Sequence, residues 1–231
     1  MDITERATSI GTLADDTRRE LYEYVSTQTE PVSRESAAEA VGIPAHTARF
    51  HLDKLVEVGL LDTEFRRLSG RSGPGAGRPS KLYLRAAGTI SVSLPERRYD
   101  LVGHLLAGAI ERASDGMPLT DAVDEYAREE GRRIAASGSP DEVERPAENA
   151  DDVDRVADLL TAHGYEPRRE GDALTLANCP FESLARDHTP LVCSANLALV
   201  GGMLDGLECA HLRAHGEPHE GQCCVAIRPH A

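Results

Sequence analysis

All five cysteines of this chain, Cys179, Cys193, Cys209, Cys223 and Cys224, fall in its C-terminal stretch; the 178 residues before them hold none. Thiolate sulfur is both a soft ligand and a nucleophile, so this concentration predicts metal or redox chemistry. The intervals are C-x13-C, C-x15-C and then C-x13-C or C-x14-C, which are not the tight CxxC pairs of a zinc ribbon. A site with such intervals has to be assembled by the fold. His188, His211, His215 and His219 lie among the cysteines and offer nitrogen in place of sulfur. Cys179 or Cys193 as nucleophile, with His188 as base, would make an enzyme. No nucleophile elbow, phosphate loop or HExxH motif accompanies them. The expected class is a binding or sensing protein, not an enzyme.

Composition narrows the setting. The chain opens Met1-Asp2-Ile3-Thr4-Glu5, without the apolar run of a secretory leader, and no apolar run nears the roughly 20 residues that span a bilayer. A cytoplasmic protein without membrane contact is expected, its thiols reduced, and the odd cysteine count also argues against a disulfide framework. The net charge is −14, unevenly spread. Residues 1–90 carry 12 basic and 13 acidic side chains, residues 91–231 carry 13 and 26, and residues 49–85 alone carry 8 basic against 4 acidic. One basic stretch in an acidic protein points to a polyanion there, and the polyanion expected is double-stranded DNA.

The elements that would present these groups follow from periodicity. An apolar face at Leu13, Leu21, Tyr24 and Val25 predicts a helix over 11–28. Ser33 as N-cap and Gly42 as stop bracket a short helix, and Pro44 opens a third that runs to Val58. Its buried side is Ala48, Leu52, Leu55 and Val56; its other side offers His46, Thr47, Arg49, Phe50, His51 and Lys54. Apolar runs at 60–65 and 81–84, joined by a glycine-rich tip, predict a hairpin bearing Arg66, Arg67, Arg71, Arg78 and Lys81. Helix-turn-helix plus basic hairpin is a winged helix, whose third helix fits a major groove and whose wing meets phosphate.

The fold class is thus α+β. Residues 1–90 are read as the winged helix-turn-helix domain, and 91–140 as linker and dimerisation helices: one begins near Ser93, the other spans 121–136. Residues 151–231 are read as a small α+β domain that gathers the cysteines. Within it, helices are expected at 151–163, 181–187 and 190–207, with strands at 165–169, 172–178, 209–215 and 223–228. A homodimer is expected because winged helices read paired half-sites.

Two resemblances sharpen this. "ARFHLDKLVEVGLL" at 48–61 with "GRPSKLY" at 77–83 resembles the winged-helix domain of ArsR-type regulators. "NCPF" at 178–181, with the widely spaced cysteines after it, resembles the C-terminal sensor domain of SufR-type repressors. The second resemblance implies a [4Fe–4S] cluster on Cys179, Cys193, Cys209 and one of Cys223 or Cys224. Zinc or thiol redox chemistry on the same groups is the alternative, because sulfur suits both metals.

Overall fold

Caps and stops set the N-terminal unit, residues up to Val92. The computed structural model describes residues 3–67, 79–137, 151–217 and 222–230. Its first elements are α1 (Ile3–Thr12), α2 (Asp16–Thr27), β1 (Val32–Ser33), α3 (Arg34–Val41), α4 (Ala45–Glu57), β2 (Leu61–Arg66) and β3 (Ser80–Arg85). Asp15 caps α2 by accepting from the Arg18 amide at 2.9 Å. That cap is why the helix expected over 11–28 is instead two helices with a turn between them: the Asp15 carboxylate satisfies a donor that a continuous helix would have supplied with a carbonyl. Ser33 caps α3 through the Ser36 amide at 3.0 Å, and Gly42 ends it in the left-handed conformation at φ 75°. Leu21, Val25, Ala37, Ala48, Leu52, Leu55 and Leu61 form the core beneath α2, α3 and α4. A three-stranded antiparallel sheet, order β1-β3-β2, closes one side, with Tyr83 opposite both Val32 and Thr63.

The second unit runs from Ser93. It holds α5 (Tyr99–Ser114), α6 (Leu119–Ser137), α7 (Asp152–Ala162), β4 (Pro167–Glu170), β5 (Ala173–Leu176), α8 (Glu182–Asp187), α9 (Thr189–Gly206), β6 (Leu212–Gly216) and β7 (Val225–Pro229). The strands form one antiparallel sheet in the order β4-β5-β7-β6. α9 is apolar on nearly every side and runs through the centre of this unit.

Two expectations are corrected. The stretch 93–98 is not helical: the Ser93 hydroxyl takes the Arg97 amide at 2.8 Å, and α5 begins only at Tyr99. Nor are α5 and α6 a separate linker. Leu101, Leu105, Ala109, Val123, Ala127 and Ile134 share one core with Leu174, Phe181, Leu199 and Ile227, so the second unit begins at 93 and not at 151. α6 and α9 cross with backbone against backbone: a Cβ on Gly131 would lie 2.1 Å from the Leu199 carbonyl oxygen, and one on Gly202 would lie 2.0 Å from that of Arg128.

Candidate functional site

The sheet brings the cysteines together. β5 and β7 are neighbours, and the Cys223 amide donates to the Leu176 carbonyl at 3.0 Å. Cys179, three residues beyond β5, therefore meets Cys223 and Cys224, just ahead of β7. Cys193, in the second turn of α9, completes the group. Cys179 and Cys223, Cys223 and Cys224, and Cys224 and Cys193 lie near enough to act on one another's protons. The segment carrying Cys179 is pinned: Arg97 donates to the Cys179 carbonyl at 3.0 Å and also binds Asn178 and Glu182. The Asn178 amide in turn donates to the Gly164 carbonyl at 2.6 Å. Beneath the thiols, Asn196 is wholly buried; its Nδ2 donates to Cys223 Sγ at 3.2 Å, and its Oδ1 accepts from Tyr165 Oη at 2.5 Å.

These contacts divide the protons unequally. Hydrogen bonds from Cys223 and then from Cys193 and Asn196, acting against burial, bring the Cys224 thiol down to about 6. Burial, followed by the contact with Cys224, pushes Cys193 up to about 12. Cys223 is raised because it serves Cys179 and Cys224, and Cys179 is lowered by the same contact with Cys223.

Cys209 is not part of the group. It follows α9 where Cys193 precedes most of it, and the 13 residues from Cys193 to Gly206 rise about 20 Å along the axis. Its sulfur faces the Leu207 carbonyl at 3.7 Å, and burial followed by the charge of Asp152 raises its pKa. It lines a different hollow, of about 910 Å³ along α6, α9 and β6, into which none of the other four thiols open. His188 stands exposed at the junction of α8 and α9, its amide closing α8 on the Leu184 carbonyl. His211 is exposed beside Asp152, and His219 lies outside the described residues. Among the described residues, no three His, Cys, Asp or Glu side chains are arranged as a metal cage.

On the N-terminal unit, α4 turns His46, Thr47, Arg49 and Phe50 outward; Phe50 is 66 % exposed. His51 is different. Its ring is turned toward Asp15, with Nδ1 4.0 Å from the carboxylate and only 14 % of the side chain exposed, so it lies between helices and not on the outer face. Lys54 pairs with Glu57 at 2.8 Å, and Arg66 with Glu64 at 2.8 Å and Glu30 at 3.2 Å. Arg67 is exposed at the end of β2, while Arg71 and Arg78 lie outside the described residues. Lys81 meets Asp53, a residue that helical periodicity gave no reason to single out. The Asp53 carboxylate accepts from Lys81 Nζ at 2.6 Å and from Tyr83 Oη at 2.8 Å, and Arg49 Nε lies 3.5 Å away. Burial acts to raise the Asp53 pKa, and the bonds from Lys81 and Tyr83 outweigh it, so the group stays ionised. Asp53 thereby ties α4 to β3, with Arg49 beside the pair.

Residues 13–64, from the end of α1 to β2, match the family model described as a helix-turn-helix domain. This segment is a helix-turn-helix domain. It points to a DNA-binding transcription regulator, with α4 as the second helix of the motif. Neither the curated proteins nor the solved structures hold a match to the chain. Among the described residues, no helix is long and apolar enough to cross a membrane. The helix-turn-helix match does not reach the cysteine-bearing unit, whose role rests on its own geometry.

Proposed function

We propose that the chain is a winged-helix regulator of double-stranded DNA that acts as a homodimer and takes its signal at the cysteines. α4 enters the major groove, with Arg49 reaching a base edge and His46 and Thr47 beside it. Arg66, Arg67, Lys54 and Lys81, with Arg71 and Arg78 between the strands of the wing, meet phosphate. The β2–β3 pair following α4 supports the wing. Ile110 on α5 and Leu119 on α6, 59 % and 51 % exposed, supply apolar surface for a second copy.

The observation that carries the sensing half is the gathering of four thiols from three distant segments. Four thiols are the donor type of an iron–sulfur cluster and of zinc alike, although as placed no three of them are arranged to hold a metal. Cys179, Cys193, Cys223 and Cys224 would hold the group, and their side chains must rearrange to admit it. A [4Fe–4S] cluster, when bound, supplies one-electron redox chemistry and sensitivity to oxygen. Free thiols that share one hollow also favour a second reading, in which the cysteines respond to oxidants without metal. Either input regulates only if it binds or bonds more favourably in one arrangement of the chain than in another.

Two measurements test this. Arg49→Ala is expected to weaken specific DNA binding by roughly 10- to 100-fold and to relax base preference, while Arg66→Ala lowers the salt slope by about 1 and leaves preference intact. Unchanged affinity in both would remove α4 as the reader. Protein purified without oxygen is expected to contain iron and sulfide, lost in Cys179→Ser and Cys193→Ser; a metal-free wild type would remove the cluster. Zinc without sulfide would leave a structural metal site.

A further inference from the structure

A hollow of about 400 Å³ opens against the cysteine group, walled by Cys179, Cys193 and Cys224 on one side and by Arg97, Glu182 and Thr189 on the other. Cys223 takes no part in the lining and is 3 % exposed. Cys193 and Cys224 are both half-buried and both line the hollow. Solvent and a small solute therefore reach two thiols that share one hollow, while Cys223, held by the Asn196 amide, lies outside its lining.

We propose that Cys193 and Cys224 form a dithiol that reacts with small hydroperoxides entering through this hollow. The inference rests on reading the cysteines as the input of the regulator, and it concerns the chain when no metal occupies them. The Cys224 sulfur attacks one peroxide oxygen. The O–O bond breaks, the sulfur is oxidised by two electrons to the sulfenic acid, and the thiol proton leaves with the departing oxygen as alcohol, or as water from hydrogen peroxide. Cys193 Sγ then attacks the sulfenic sulfur, the S–O bond breaks, and the hydroxide departs with the Cys193 proton as a second water. The two thiols lose two electrons and two protons, and one S–S bond joins α9 to the segment before β7.

Pairings through Cys223 or Cys209 are disfavoured by position. Cys223 and Cys224 are adjacent, so their Cα atoms are about 3.8 Å apart, below the roughly 4.4 to 6.8 Å that disulfides span. Cys223 also holds the hydrogen bond from Asn196 at 3.2 Å and lies away from the hollow. Cys209 lines the other hollow.

The test uses the full chain, stripped of metal by a chelator, with the metal content of the same sample measured. One equivalent of hydrogen peroxide is expected to lower the free thiols, counted in denaturant, from five to three. Tandem mass spectrometry should then link Cys193 to Cys224. Cys223→Ser is expected to form the same bond. Cys193→Ser should stop at a sulfenic acid on Cys224 that dimedone traps. No loss of thiols, or a bond through Cys179 and Cys223, would overturn the proposal. Because none of these readouts involves DNA, iron or sulfide, their failure leaves the cluster reading standing, and failure of the cluster reading leaves them intact.

Discussion

Gly202→Ala is expected to cost the C-terminal unit about 3 kcal/mol or more, whereas the same change at Gly103 is expected to stabilise it by about 0.5 to 1 kcal/mol. Both residues sit in helices, so the intrinsic gain from alanine is alike at each. What differs is the neighbour. Nothing lies within 4 Å of a Cβ at Gly103, on the open side of α5. At Gly202 the new carbon would lie 2.0 Å from the Arg128 carbonyl oxygen and 2.8 Å from its carbon. Those atoms belong to the backbone of α6, and a side-chain rotation cannot clear them. The helices must separate, which also pulls Gly131 from the Leu199 carbonyl and opens gaps among Ala127, Ile134 and Leu199. Overpacking of this kind costs roughly 1 to 3 kcal/mol where side chains can yield and more where they cannot. Native-state hydrogen exchange of the α9 amides reads this unit apart from the helix-turn-helix domain. Equal responses at Gly103 and Gly202 would mean that α6 and α9 do not cross so closely.

That pair of glycines also marks what periodicity can and cannot tell. Gly202 and Gly206 stand four residues apart on α9, a spacing that favours close helix contact, yet nothing near them names Gly131 on α6 as the partner. By contrast, α3 and α4 were legible because their boundaries are local: Ser33, Gly42 and Pro44 act on the residues beside them. Asp15 was legible too, in principle, but an apolar face running through it from Leu13 to Val25 masked the cap. The same asymmetry governs the cysteines. Their types announced a site, but which of them meet depends on β5 and β7 being neighbours, a long-range fact. Cys209 looked equivalent by interval and is carried to the far end of α9. His51 shared the exposed side of its helix in projection and is turned aside by Asp15, which belongs to another element. Residues such as Asn196 gave no signal at all, because one polar side chain within an apolar helix reads as noise until its partners are known.

Those partners make the second large effect. Asn196→Leu is expected to cost about 2 to 3 kcal/mol, since it keeps the shape but leaves the buried Tyr165 hydroxyl without an acceptor. Tyr165→Phe alone should cost less, about 1 kcal/mol, because Asn196 retains its bond to Cys223. Combining the two removes donor and acceptor together, and the double variant should be more stable than the sum of the single costs by at least 1 kcal/mol. Additive losses would show that the Tyr165–Asn196 bond is not the term that matters. The thiols give an independent readout. Asn196 is one of three hydrogen-bond donors that hold Cys224 near 6, after Cys223 and Cys193. Taking it away raises the Cys224 pKa, so the pH at which iodoacetamide labelling of Cys224 half-develops should move upward in Asn196→Leu. Tyr165→Phe leaves that donor in place and should barely move it. A variant that lost stability but left Cys224 titrating as before would separate the two jobs, confining Asn196 to holding Tyr165. A shift in both would place one buried amide beneath the packing of the domain and the reactivity of its thiols alike.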